Sequence, residues 1–170
     1  STAYVTLAAE HQIDPVGTAA IVFQALATSE FEATLRDMEE VVKATGGDSG
    51  TSVATQDDSY GYRWMILRNP PAAPSVEDLA VGINAVAGSI EAAGHGERLL
   101  CAVFAFDDAQ KRRVYFIYNY KRGFWYPFVP AGGEQQRSTE RELQIKAQMD
   151  SELPMEPELE RWFPLWGIPI

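Results

Sequence analysis

The stretch that most constrains this chain is Asp58-Ser59-Tyr60-Gly61-Tyr62-Arg63-Trp64-Met65-Ile66-Leu67-Arg68. Aromatics stand at alternate positions, Tyr60, Tyr62 and Trp64, and then run into Met65-Ile66-Leu67. Side chains alternate across a strand, so this spacing predicts a strand over 59–68. Tyr60, Tyr62, Trp64 and Ile66 share one of its faces, and Met65 and Leu67 share the other. The stretch holds no nucleophile–base pair, no metal-ligand cluster and no phosphate loop.

Around this strand the chain alternates between helical and strand periods. Residues 3–11 suit a short helix that Asp14-Pro15-Val16-Gly17 breaks, and 19–25 reads as a first strand. Ser29 and Glu32 form a capping box before Phe31, Leu35, Met38 and Val42 at helical spacing, and Gly46-Gly47 closes that helix. A short strand at 51–55 turns at Gln56-Asp57-Asp58 into the aromatic strand. After a Pro-rich loop at 69–74, Ser75 caps a helix with Leu79, Ile83, Val86 and Ile90 on one side. Strands at 99–106, 114–120 and 124–129 follow as an antiparallel meander. A second capping box, Thr139 and Glu142, opens a charged helix to about residue 152, and a Pro-punctuated aromatic tail ends the chain.

The order β-α-β-β-α-β-β-β-α with a leading helix predicts one α+β domain over residues 1–170. Its core is a ferredoxin-like split β-α-β unit, extended by the meander, with helices mainly on one face. Residues 130–170 supply a C-terminal helix and tail that pack on that core. A type III secretion-chaperone-like sheet is the competing architecture. Both faces of the meander are apolar: Val114, Phe116 and Tyr118 oppose Tyr115 and Ile117, and Tyr126 and Phe128 oppose Trp125 and Val129. The two striped helices cover one face, and exposed apolar patches above a few hundred Å² are rare. The second cover is then the C-terminal helix together with the tail at 162–170, a second copy, or a partner protein.

Chemistry is sparse. A net charge of −10 argues against nucleic acid or an anionic membrane surface as a direct partner. Lys111-Arg112-Arg113 and Lys121-Arg122 fall in successive turns, and so at opposite ends of a hairpin. Residues 134–160 hold eight acids against three bases and read as a solvated face. Asp57-Asp58 reads as a turn pair, His11 and His95 as loop or surface histidines without metal-like spacing, and Cys101 as a small core hydrophobe. No apolar run reaches the ~20 residues that span a bilayer.

The phrases at 58–67 (DSYGYRWMIL), 99–106 (LLCAVFAF) and 115–126 (YFIYNYKRGFWY), with Pro15-Val16-Gly17 before the first strand, resemble the PspAB family of PspA-associated proteins. The resemblance runs from Thr2 to the tail and carries no catalytic motif. It implies a cytoplasmic accessory protein of a phage-shock envelope-stress response. Its expected partner is PspA, a coiled-coil protein that assembles on stressed inner membrane, so membrane contact is indirect at most. It also implies a segment upstream of Ser1. The combined expectation is a non-enzymatic partner-binding module without cofactor, metal or catalytic residues. Its contact surface is the second sheet face or aromatic strand edge at Tyr60, Tyr62, Trp64, Tyr118 and Trp125. A chaperone-like homodimer, and a small-molecule binder or enzyme with a pocket between sheet and tail, remain the alternatives.

Overall fold

A computed structural model describes residues 2–45 and 50–170. In chain order the elements are α1 (Ala3–His11), β1 (Asp14–Phe23), α2 (Ser29–Thr45), β2 (Ser52–Asp57), β3 (Arg63–Arg68), α3 (Val76–Ala92), β4 (Leu99–Asp107), β5 (Arg113–Asn119), β6 (Phe124–Phe128) and α4 (Thr139–Met149). The strands form one antiparallel sheet in the order β2-β3-β1-β4-β5-β6. The helix α2 joins β1 to β2 with β3 inserted between them, and α3 joins β3 to β4 with β1 inserted between them. These two interlocked split units are the predicted ferredoxin-like core. The strands β5 and β6 extend it as the expected meander.

Alternation divides the core in two. On one face the stripes of α2 (Phe31, Leu35, Met38, Val42) and α3 (Leu79, Ile83, Val86, Ile90) bury against Ile21, Phe23, Met65 and Leu67. On the other, Val22, Trp64, Ile66, Val103, Tyr115, Ile117 and Phe128 are closed over by Trp162, Leu165, Trp166, Ile168 and Ile170. The tail alone is therefore what covers the second face; the C-terminal helix α4, expected there with it, buries Ile145 and Met149 in the first cluster instead. Trp162 stacks on Tyr126 at 6.5 Å and 17° and donates its indole N–H to the Glu156 carbonyl at 3.0 Å. Tyr126 Oη donates to the Phe163 carbonyl at 2.8 Å, and Tyr115 Oη to that of Ile170.

Two hairpins share one turn design, DDSYGYR at 57–63 and DDAQKRR at 107–113. In each, the second aspartate folds back as an Asx turn. Asp58 Oδ1 accepts from the amides of Tyr60 and Tyr62, and Asp108 Oδ1 from those of Gln110 and Arg112. The first aspartate pairs with the closing arginine, Asp57 with Arg63 at 2.8 Å and Asp107 with Arg113 at 3.0 Å. The position before the last pair is left-handed in both, filled by Gly61 (φ 88°) and by Lys111 (φ 63°).

This turn corrects the aromatic strand: it begins at Arg63, not at residue 59, because Asp58 captures the amides that a strand would offer to a neighbour. Three other local readings shift. Asp14-Pro15-Val16-Gly17 belongs to β1, where Gly17 at φ 85° accommodates a register shift between Pro15 and Ala19. The two capping boxes move by one residue: Thr28 Oγ1 accepts from the Phe31 amide and Ser138 Oγ from that of Arg141. Thr139 begins α4, and Glu142 is buried rather than reaching back to a cap. The closing glycines Gly46 and Gly47 lie outside the described residues.

The arginines of the basic turns are spent on carboxylates. Arg112 pairs with Asp108, and Arg122 pairs with Glu156 and Glu158. Glu156 is buried and also ties the segment after α4 to the β6 edge: its amide donates to the Trp125 carbonyl, while the Trp125 amide donates to that of Pro154. Asp57, Asp108 and Glu156 are all held below the ordinary carboxylate range. The Arg63 hydrogen bond does this at Asp57 and the Arg122 hydrogen bond at Glu156. At Asp108 burial opposes ionisation, but the Arg112 and Gln110 donors outweigh it. Folded values below unfolded ones stabilise above the unfolded range of about 4, and that stability is lost as pH falls through the folded values. The urea midpoint is therefore expected to hold from pH 7 to pH 5 and to fall steeply below about pH 4. Glu156→Gln lacks one of these groups and should show a shallower acid slope. An identical slope in the variant would remove Glu156 from this account.

Candidate functional site

Ser75 starts α3 by accepting the Asp78 amide at 3.2 Å, and its own amide donates to Asn69 Oδ1 at 2.8 Å. Beside the stripe that faces the sheet, α3 presents Ala80, Val81, Asn84, Ala87 and Gly88, bounded by Glu77 and Glu91. With Tyr4 and Leu7 of α1 and with Leu153, these residues wall a groove of about 870 Å³. Its floor is the first face of the meander, Phe104, Phe116, Tyr118, Tyr120 and Trp125. The groove exists because α2 and α3 lie over the β2-β3-β1-β4 half, while α4 contributes Ile145 and Met149 beyond the β6 end. Between them Phe104 and Phe116 are already buried, and the partly buried rings of Tyr118, Tyr120 and Trp125 are the part of the floor left without a helix over it.

The floor rings lock one another. Trp125 lies 5.2 Å from Tyr118 and 5.8 Å from Phe104, and Tyr118 meets Tyr120 edge-on at 5.2 Å. Tyr4 Oη donates to Glu77 Oε1 across the α1–α3 mouth, and that bond pushes the Tyr4 phenol up. Burial pushes the Tyr120 phenol well up. Both stay protonated at neutral pH, and Tyr4 acts as a hydrogen-bond donor rather than a base. Burial likewise pushes up the Cys101 thiol, which belongs to the opposite face. His95 packs edge-on against Phe31 at 5.3 Å. The groove offers apolar contact with a few polar groups on its rim, an arrangement suited to binding.

Of the five residues expected to form one surface, the structure brings together two. Tyr118 and Trp125 touch on the groove floor. Trp64 is on the other face, 3% exposed, with its indole N–H on Asp58 Oδ2 at 3.0 Å. Tyr62 is half-buried against the same second cluster. Tyr60 stands at the turn tip, 62% exposed, and lines a separate hollow with Gly133 and Trp166. The second face, closed by the tail, is not a free surface. The walls Ala80 and Ala87 were missed, although their signal was available, and so were Glu77 and Glu91, which carry no such signal. Between Asp78 and Glu91, α3 is apolar nearly all round, with Asn84 and Ser89 as its polar side chains. Such a helix has more than one face to bury.

A family model described as PspA associated protein B matches residues 1–170. The chain belongs to the PspAB family. The match spans the whole sequence, so the groove, the sheet and the tail all lie within the PspAB region. The description links PspAB to PspA and supports an accessory role beside it. No curated protein and no solved structure matches the chain. Among the described residues, no helix is long and apolar enough to cross a membrane.

Proposed function

We propose that this PspAB member is a non-enzymatic accessory protein that binds PspA through the groove between α1, α3 and the meander, as part of an envelope-stress response. The observation that carries the reading is the partly exposed part of the aromatic floor, Tyr118, Tyr120 and Trp125, over which no helix lies among the described residues. A helix laid on such a floor uses aromatics as anchors, and large central aromatics dominate binding energies. The protein works on the cytoplasmic side and reaches the membrane through PspA.

The test is retention of purified PspA, and separately of liposomes, by the immobilised protein. PspA alone should be retained. Trp125→Ala should weaken the complex by about 30-fold or more, as loss of a central aromatic does. The Trp125 backbone bonds to Pro154 and Glu156 survive the change, so a cooperative unfolding transition should persist. No PspA retention would remove the partner, and unchanged affinity in the variant would remove the groove from the contact.

A further inference from the structure

We propose that the groove is shaped for a single partner α-helix, apolar along one side and carrying Lys or Arg at both ends of that side; this rests on the reading of the groove as a protein-binding site. Three features of α3 support it. First, five of the nine α3 positions that line the groove, Glu77, Val81, Asn84, Gly88 and Glu91, form its exposed row and recur at alternating spacings of four and three, the period of a helix–helix seam. Glu77 and Glu91 close that seam two heptads apart, about 21 Å along the axis. A partner helix of about four turns spans the same distance.

Second, the charge at the two ends has one sign. Glu77 and Glu91 line the groove, no Lys or Arg does, and α3 itself carries no base. Tyr4 engages Glu77 Oε1 and leaves Oε2 for an incoming cation. Rim charges of this kind set orientation and encounter rate more than total affinity. An acyl chain or a compact apolar ligand would satisfy the floor but bring no cation to the two separated carboxylates. An anionic membrane surface would be repelled by them.

Third, Gly88 is not explained by the domain's own packing. Glycine weakens a helix interior relative to alanine. At Gly82 there is a reason, because a Cβ would sit 2.4 Å from Leu67 Cδ2. At Gly88 a Cβ meets nothing within 4 Å. With Ala80 and Ala87 beside it, Gly88 opens the wall to a second backbone at the close spacing that packed helices adopt.

The probe is a synthetic helical peptide of Leu and Ala about 18 residues long, with Arg at both ends of its apolar side about 14 residues apart. Its control carries Glu at the same two places. Binding is followed by fluorescence anisotropy of a labelled peptide, at low and high salt. The Arg peptide should bind the wild-type domain at least about tenfold more tightly than the Glu peptide, with the gap narrowing in salt. Glu77→Lys/Glu91→Lys should reverse that preference. Gly88→Leu should weaken the Arg peptide by about tenfold or more while leaving the thermal midpoint of the free domain unchanged or higher.

Equal binding of both peptides, binding of neither, or indifference to Gly88→Leu would overturn the proposal. So would a dimer in sedimentation that Gly88→Leu dissociates, because the groove would then hold a second copy. If the peptides behave as expected and PspA is not retained, the groove assignment stands and the partner's identity falls. If PspA is retained and the peptides fail, this proposal falls alone.

Discussion

Replacing Arg137 with alanine should destabilise the domain by about 3–5 kcal/mol, the cost of breaking a buried ion pair from one side. Glu142 on α4 is 1% exposed. Its carboxylate accepts from Arg137 Nε at 2.9 Å and from the Val129 amide at 2.9 Å. Arg137 also lies 5.0 Å over the Phe128 ring and donates through Nη1 to the Trp162 carbonyl at 2.7 Å. One side chain thus joins α4, the end of β6 and the start of the tail. Without it, the buried Glu142 carboxyl is left with a single backbone donor. The double variant Arg137→Met/Glu142→Leu should cost less than the single one, about 1–3 kcal/mol, because it orphans the Val129 amide and the Trp162 carbonyl but buries no charge. Arg137 Nη2 is already buried without a partner, which is consistent with a pair that apolar groups can replace. Urea unfolding of both variants decides it. A single variant within 1 kcal/mol of wild type, or a double variant worse than the single, would contradict this account of the clasp.

Much of the fold was legible because its signals are local and redundant. The period of 3.6 in Leu79, Ile83, Val86 and Ile90 and the period of two through the meander each assign faces, and the structure places those residues on the faces assigned. Element order then left few ways to thread the sheet. What failed was boundary detail, and for a common reason: short polar side chains compete with the backbone for hydrogen bonds. Asp58 takes two amides that would have lengthened β3, and Thr28 and Ser138 cap helices that the neighbouring Ser29 and Thr139 fit equally well on pattern.

The site was half legible. Tyr118 and Trp125 could be selected as aromatics on one strand pair, and both are on the groove floor. Grouping them with Trp64 failed because alternation gives each strand its two faces without saying which face of one strand aligns with which of another. That phase is set by register. Trp64 pairs with Val22 of β1, Val22 with Cys101 of β4, and Cys101 with Asn119 of β5, which places Trp64 on the face opposite Tyr118. The carboxylates that end the groove are two ordinary exposed glutamates in the sequence. Only the empty space between α3 and the meander gives them a shared context.

Deleting residues 162–170 should have the largest effect. The segment carries Trp162, which is 4% exposed, and four partly buried apolar side chains that pack on the second face. Loss of a buried Trp alone costs about 3–5 kcal/mol, and each further apolar side chain adds part of its ~1.5–3 kcal/mol of burial. The total is comparable with the whole stability of an ordinary domain, about 5–15 kcal/mol. The hydroxyls of Tyr126 and Tyr115 would lose their carbonyl acceptors in the same step. Trp64, Ile66, Ile117 and Phe128 would face water as one continuous patch, and such patches associate. The truncated chain should therefore bind a hydrophobic dye strongly, lose its sharp thermal transition and sediment as oligomers. Trp162→Ala in the full chain should stay folded and sediment as the wild type does, at a urea midpoint lowered in proportion to about 3–5 kcal/mol. The pair separates the anchor from the cover: if the truncated chain remained a monomer with an unchanged midpoint, the second sheet face would need no tail, and a face free to meet another molecule would return to consideration.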